Sequence, residues 1–255
     1  MAMEWSGFIL FMAISISVGV CSVFASRKFI GHDFLRRHNE VTAPVHAAIS
    51  VMYAVLVGFV IIATWEQYNE AEEVIVTEAN QVFALDRDFS NIPKTYRDRV
   101  DSSLLQYTHT VIDVEWKMMM AGSMDNYTNT SYETLWKGIG SINPQDDSER
   151  MWIEKAVDRL NKLDEARGER IMLVERHIPT MMWMFLIAGG VIVILFTSLF
   201  GSETLSMSLI TNIPLAMIIG FMLYLINELD YPFNGNLRID DEAFRHVLEL
   251  IQRTP

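Results

Sequence analysis

The chain has 255 residues, of which 51% are hydrophobic, and it carries a formal net charge of −12. An acidic surface repels phosphate backbones, so this charge argues against nucleic acid as a partner. The single cysteine, Cys21, excludes an intrachain disulfide and a cysteine-based zinc site.

Four stretches without Asp, Glu, Lys or Arg are long enough to cross a bilayer as helices. They cover residues 7–25, 45–64, 180–200 and 205–226, with lengths of 19, 20, 21 and 22 residues. A bilayer core needs about 20 apolar residues in helical form. A cleavable signal peptide is disfavoured for the first stretch, because its positive charges, Arg27 and Lys28, follow the apolar run. The sequence therefore predicts four spans, arranged as two hairpins.

The segment between the second and third spans, residues 66–178, is acidic, with 22 acidic and 13 basic residues. Nothing breaks a helix between Trp65 and Ser90, so we expect the second span to continue as one long helix. Its predicted inner face is Ile75, Ala79, Val82, Leu85 and Phe89.

Three further helices are predicted in this segment. Pro93 is placed to open the first of them, whose inner face is Tyr96, Val100, Leu104, Tyr107, Val111, Val114 and Met118. A short helix follows over residues 132–138. The last runs from about Gln145 to His177, with Ile153, Val157, Leu160 and Leu163 facing inward, and Pro179 marks entry to the third span.

The tail ends in a short amphipathic helix with Phe244, Val247, Leu248 and Ile251 on one face. Such a helix packs on the extramembrane bundle or lies at the membrane surface. The predicted fold is all-α: an integral membrane protein with four transmembrane helices and a helical extramembrane bundle between the second and third spans. Its predicted parts are residues 1–65, 66–178, 179–226 and 227–255.

The side of the membrane that the bundle faces is not decided by charge. Lys and Arg near the span ends number four on each side: Arg27, Lys28, Arg36 and Arg37 against Arg167, Arg170, Arg176 and Arg238. The first span alone favours an outside N-terminus.

Signatures of catalysis are scarce. The sequence contains no dinucleotide-binding, P-loop, nucleophile-elbow or zinc-protease motif, and it predicts no enzyme, no cofactor and no metal site. The spans also lack the mid-membrane ionisable groups that are typical of pumps. A passive pore needs none, because small, hydroxylic and apolar side chains form its wall.

The second span has a regular polar face, which is the candidate pore lining. Its members recur at steps of 4, 3, 4, 3 and 4: His46, Ser50, Tyr53, Val57, Val60 and Thr64. Polar groups flank this span at both ends, and these are the candidate pore-mouth residues: Asn39, Glu40, Glu66, Gln67, Glu70 and Glu73. The competing interpretation is a helix–helix seam in which Ser50 and Tyr53 hydrogen-bond a neighbour.

Four short motifs resemble the bestrophin-like domain proteins of bacteria, a family of uncharacterised function. They are His38-Asn39-Glu40, Trp65-Glu66-Gln67-Tyr68-Asn69-Glu70-Ala71, Arg159-Leu160-Asn161 with Ala166-Arg167, and Leu229-Asp230-Tyr231-Pro232-Phe233-Asn234-Gly235. The resemblance implies kinship to bestrophins, which are oligomeric ion channels with four spans per subunit and a pore lined by the second span. It also implies that residues 66–178 and both chain ends are cytoplasmic.

The sequence departs from bestrophins in two places. Val57 and Val60 stand at the depth of their apolar Ile and Phe neck, and Asp240-Asp241-Glu242 is too short a run for a calcium clasp. Chloride selectivity and calcium gating are therefore not carried over.

The resulting functional hypothesis is a homo-oligomeric, multi-pass ion channel of the bacterial inner membrane. Of the inorganic ions, the acidic mouth favours the passage of cations over anions. The alternative is a non-channel membrane protein whose bundle binds a partner or senses a signal.

Overall fold

The computed structural model describes residues 5–30, 32–92, 94–124, 130–202 and 204–253. The helices of this part of the chain are α1 (Trp5–Phe29), α2 (His32–Arg37), α3 (Asn39–Phe89), α4 (Lys94–Thr110), a π-helical turn (Val111–Glu115), α5 (Trp116–Met120), α6 (Thr130–Gly140), α7 (Asp147–Glu175), α8 (Thr180–Ser198), α9 (Leu205–Asp230) and α10 (Glu242–Arg253). Pro93, the predicted helix opener, lies outside the described residues.

The predicted fold class is confirmed. Four helices, α1, α3, α8 and α9, are long and apolar enough to cross a membrane. The second span does continue outward without a break, because α3 is a single helix of 51 residues. The chain divides into two compact units: the membrane unit, Met1–Gln67 with His177–Asp230, and the outer unit, Tyr68–Arg176 with Tyr231–Pro255.

In the membrane unit, small side chains let α1 and α9 approach closely. Ser15, Gly19 and Ser22 of α1 face Gly220, Ala216 and Asn212 of α9, and each member of these pairs is small or polar. A Cβ added at Gly220 would lie 2.5 Å from the Ser15 Oγ. Because lipid tails are as apolar as Leu, close van der Waals contact and interhelical hydrogen bonds replace hydrophobic burial here.

The outer unit buries a conventional apolar core. The predicted inner face of α3 is confirmed, since Ile75, Ala79, Val82, Leu85 and Phe89 are all buried. Of the predicted inner face of α7, Leu160 and Leu163 are buried and Ile153 and Val157 are half-buried against the same core.

The π-helical turn corrects one predicted face. Val114 was expected to point inward with Val111 and Met118, but it is 43% exposed, while Glu115 is fully buried. A π-turn accommodates one more residue than an α-turn does, so every later side chain on this helix is displaced by one position. Trp116 and Met119 consequently take the buried places.

The C-terminal helix packs in the outer unit, which decides between the two predicted locations. Phe244, Val247 and Ile251 of α10 are buried in the same core as α3, α4 and α7, and Leu248 packs against it. The Phe244 ring lies 6.1 Å from the Trp116 ring, edge to face. The tail is thus an integral part of the outer unit.

Candidate pore face and buried charge network

The predicted polar face of α3 packs within its own chain. Val57 and Val60 are buried with Leu186, Val193 and Ile219 in one apolar cluster. Thr64 is buried too, and its hydroxyl donates to the Val60 carbonyl oxygen at 2.9 Å.

Tyr53 shows most clearly how this face is held. It lies against Gly189 and Gly190: an added Cβ would come within 2.7 Å of its ring at Gly189 and within 2.9 Å of its hydroxyl oxygen at Gly190. Its hydroxyl donates to the Leu186 carbonyl oxygen at 3.1 Å. The glycines are therefore needed to admit the ring, and these contacts are of the kind that the competing seam interpretation predicts.

The two remaining polar members lie near one end of the span. The Ser50 hydroxyl is 3.4 Å from the His46 Nε2, and this nitrogen is also 3.4 Å from the Thr197 hydroxyl of α8. Ser50, Tyr53 and Val57 additionally border an apolar groove of about 360 Å³ between α3, α8 and α9.

The opposite side of α3 is exposed along its whole membrane segment. Its members are Ala48, Val51, Met52, Val55, Phe59, Ile62 and Glu66, which follow one another at helical spacing. Phe59 is 69% exposed. At 100° per residue, this exposed stripe lies about half a turn from the face that contains Tyr53 and Val57. Sequence periodicity missed it, because in a membrane helix both the packed and the unpacked sides are apolar.

The predicted mouth residues have different environments. Glu40, Glu66 and Glu73 are exposed. Glu70 is half-buried, and both its carboxylate oxygens accept from the Arg176 Nη1, at 2.9 Å and 3.0 Å. Gln67 is half-buried.

Asn39 is hydrogen-bonded to the turn between α8 and α9. Its side-chain amide donates to the Gly201 carbonyl oxygen, and its side-chain oxygen accepts from the Gly201 N–H, both at 3.0 Å. Asp230 has a comparable role at the other end of the membrane unit. Its carboxylate accepts from the Ile178 N–H at 2.8 Å and from the Trp183 indole at 3.3 Å, which satisfies donors at the start of α8.

A charge network missed by the sequence reasoning lies at the centre of the outer unit. Arg170 of α7 is completely buried and donates to Glu78 of α3 at 2.6 Å and 3.1 Å. It also donates to Glu115 of the π-turn at 2.5 Å. Arg167 supplies a second cation to Glu115 at 3.2 Å, and the Tyr107 hydroxyl donates to Glu78 at 2.6 Å.

Burial and pairing shift the pKa values of this network in opposite ways. Burial raises the pKa of Tyr107 well above its usual value, and the neighbouring Glu78 carboxylate raises it further. For Arg170, burial acts to lower the pKa, but the Glu78 and Glu115 carboxylates outweigh that effect and raise it. Two cations thus balance two anions in a dry environment, which keeps Arg170 charged.

The motif residues that carried the resemblance have structural roles in this geometry. Arg159 pairs with the buried Asp88, which also accepts from Lys155 at 2.9 Å. Arg167 belongs to the charge network, and Asn39 and Asp230 hold helix ends. Within the described residues, these motifs mark the places where distant helices are joined.

A chain of four membrane-length helices with a helical outer unit is a multi-pass membrane protein. A family model described as Bestrophin-like domain matches residues 13–244, and the chain therefore belongs to the bestrophin-like family. No curated protein matches the chain.

The chain is also similar to crystal structures of a bacterial bestrophin homologue from Klebsiella pneumoniae. One is 16% identical, with 97% of this chain and 100% of that chain covered and a TM-score of 0.68. A point mutant is 14% identical, with 96% and 98% covered and a TM-score of 0.70. A second mutant is 15% identical, with 96% of both chains covered and a TM-score of 0.69. At these identities the likeness establishes a shared fold.

Proposed function

We propose that this chain forms a homo-oligomeric membrane ion channel in which the exposed stripe of α3 lines the pore. The observation that carries the proposal is the composition of that stripe: Val55, Phe59 and Ile62 form an unbroken apolar run that ends at the carboxylate of Glu66. Membership of the bestrophin-like family supports a channel over an enzyme, since bestrophins are oligomeric channels.

The stripe has the features of a pore wall. When copies surround a common axis, equivalent positions form rings, and rings of Val, Phe and Ile make an apolar constriction of the kind that gates by dewetting. Rings of carboxylates beyond it attract cations and repel anions. Glu66 and Glu73, at steps of 4, 3 and 4 from Ile62 through Asn69, continue on the same side of α3.

The face first predicted to line the pore supports a different part of the proposal. Tyr53, Val57, Val60 and Thr64 pack within one chain, so they fix the rotation of α3 about its axis. That rotation directs Phe59 and Glu66 away from the subunit. Packing of one face of α3 within the subunit therefore sets the direction of the opposite face, which lines the proposed pore.

Selectivity is expected to depend on Glu66 more than on Glu70. Glu70 is paired with Arg176, so its charge is largely neutralised. Glu66 is exposed and directly follows the apolar run. We therefore propose cation permeation with Glu66 as the residue nearest to the constriction.

The proposal is tested by conductance of the purified chain in liposomes. Phe59→Ala widens the apolar constriction, so single-channel conductance is expected to rise. Phe185→Ala, at a phenylalanine of α8 that is 58% exposed, is the matched control and is expected to leave conductance unchanged.

Selectivity is tested by the reversal potential under a salt gradient. Glu66→Gln is expected to move it toward the anion equilibrium potential, whereas Glu154→Gln, at an exposed carboxylate of α7, is not. No conductance at any protein-to-lipid ratio would contradict the channel and favour a partner-binding membrane protein. A response to Phe185→Ala equal to that of Phe59→Ala would contradict the assignment of the stripe.

A further inference from the structure

The segment that joins α1 to α3 concentrates the positive charge of the membrane unit. Every Lys and Arg of that unit lies within residues 27–38, which contain four basic residues and one acidic residue. At the opposite ends of the spans, the membrane unit carries Glu66, which is exposed, and Glu228 and Asp230, which are buried. The unit is therefore polarised, with its cations confined to one membrane surface.

Both ends of this segment are fixed to the same turn. Arg27, at the end of α1, donates to the Ser202 carbonyl oxygen at 3.1 Å and to the Ser208 hydroxyl at 3.0 Å. Asn39, at the start of α3, exchanges two hydrogen bonds with Gly201. Because the turn joins two membrane spans, these bonds hold the end of α1 and the start of α3 at the membrane surface.

Large apolar side chains of the segment point away from the protein. Phe29 is 80% exposed, Phe34 is 57% exposed and Ile30 is 41% exposed, whereas Leu35 is buried and anchors α2. Exposed Phe and Ile in water cost free energy that burial in the bilayer interface recovers. The side chains of Lys28 and Arg37 are exposed beside them.

We propose that five exposed side chains form a binding surface for anionic phospholipid headgroups: Lys28, Phe29, Ile30, Phe34 and Arg37. Phe29, Ile30 and Phe34 enter the acyl boundary, and Lys28 and Arg37 bind the phosphates. Charge complementarity selects the occupant: a zwitterionic headgroup has no net charge, whereas each basic side chain gains about fivefold in affinity at an anionic surface. This surface is independent of the pore and holds whether or not the chain conducts.

The test is native mass spectrometry of the full-length protein in detergent. The protein is mixed with equal amounts of phosphatidylglycerol and phosphatidylcholine, and the lipid molecules retained are counted. Wild type is expected to retain phosphatidylglycerol preferentially. Lys28→Gln with Arg37→Gln is expected to lower that preference about 25-fold, since two basic contributions are lost. Arg245→Gln with Arg253→Gln removes the same charge from α10 and is expected to leave the preference unchanged.

Two further arms separate the source of the phosphate and the role of the aromatic groups. Excess inorganic phosphate is expected not to displace the lipid, and displacement would overturn the proposal in favour of a free-anion site. Phe34→Ser is expected to reduce retention of both lipids. An unchanged preference in the Lys28/Arg37 variant would overturn the proposal. If that double variant does not fold, Arg37→Gln alone provides the same test. It is expected to lower the preference for phosphatidylglycerol about fivefold.

Discussion

The two units of the molecule pack their helices together in opposite ways. The membrane unit removes side-chain bulk: Gly19 and Gly220 bring α1 against α9, and Gly189 and Gly190 admit the Tyr53 ring. The outer unit surrounds a full charge network with large apolar side chains. Where apolar burial supplies no driving force, close approach replaces it. Where water supplies that force, the core tolerates ions that are paired with each other.

The largest effect is expected from removing the buried cation of the outer unit. Arg170→Met leaves Glu78 and Glu115 buried without their shared cation, and breaking a buried pair from one side costs about 3–5 kcal/mol. We expect a loss of that size in the free energy of unfolding of the protein in detergent, measured through Trp fluorescence. Arg176→Gln removes an exposed ion pair with Glu70 and is expected to cost at most about 1 kcal/mol. Equal losses would show that burial of the network is not what matters.

The second prediction concerns the close contact between α1 and α9 in the membrane unit. A Cβ at residue 220 would lie 2.5 Å from the Ser15 Oγ, so Gly220→Ala forces α1 and α9 apart at a cost of about 1–3 kcal/mol. At Gly58 no atom lies within 4 Å of an added Cβ. Gly58→Ala is therefore the matched control, expected to be neutral or slightly stabilising in the same unfolding measurement. A harmless Gly220→Ala would contradict the close-packing account.

The third prediction separates hydrogen bonding from ion pairing in the charge network of the outer unit. One hydrogen bond is removed while the ions stay in place. Tyr107→Phe deletes the donor at 2.6 Å from Glu78, with an expected cost of about 1–2 kcal/mol at neutral pH. The measurement is the free energy of unfolding compared with wild type. A cost as large as that of Arg170→Met would indicate that the hydroxyl, and not the guanidinium, holds the carboxylate.

The smallest effect is a change of slope at alkaline pH. The pKa of Tyr107 is raised in the folded state, so above about pH 10 the unfolded chain loses this proton first and stability falls as pH rises. Tyr107→Phe removes that contribution. The dependence of unfolding free energy on pH is therefore expected to be shallower in the variant, by about 1.4 kcal/mol per pH unit. Parallel slopes would contradict a buried Tyr107.

The helices were largely predictable because their apolar periods are local. Ile75 to Phe89 follow the helical period without interruption, so their burial could be read from spacing. The charge network was not predictable, because Glu78 and Arg170 are 92 positions apart and only the packed fold makes them partners. The spacing of Glu78 between Ile75 and Val82 was the available signal: a carboxylate on a buried face requires a cation.

The candidate pore face shows a different limit. Periodicity picked out Tyr53, Val57 and Val60 as a regular set, but in a bilayer a regular set marks either a seam or a pore wall. The deciding contacts with Leu186 and Gly189 come from a helix more than 130 positions away. Spacing alone therefore gave a regular face of α3, and the described packing shows that this face contacts its own chain.

The π-turn at Val111–Glu115 has a consequence for the length of the chain itself. Such a turn is what a helix contains after one residue has been inserted into a regular repeat. If Asp113, which is exposed, were deleted, Glu115, Trp116 and Met119 would each move up one place. They would then occupy the inward positions of an uninterrupted α-helix in register with Leu104, Tyr107 and Val111. The fold is therefore expected to tolerate a chain one residue shorter at this point, and a gap there between family members would be a trace of that insertion.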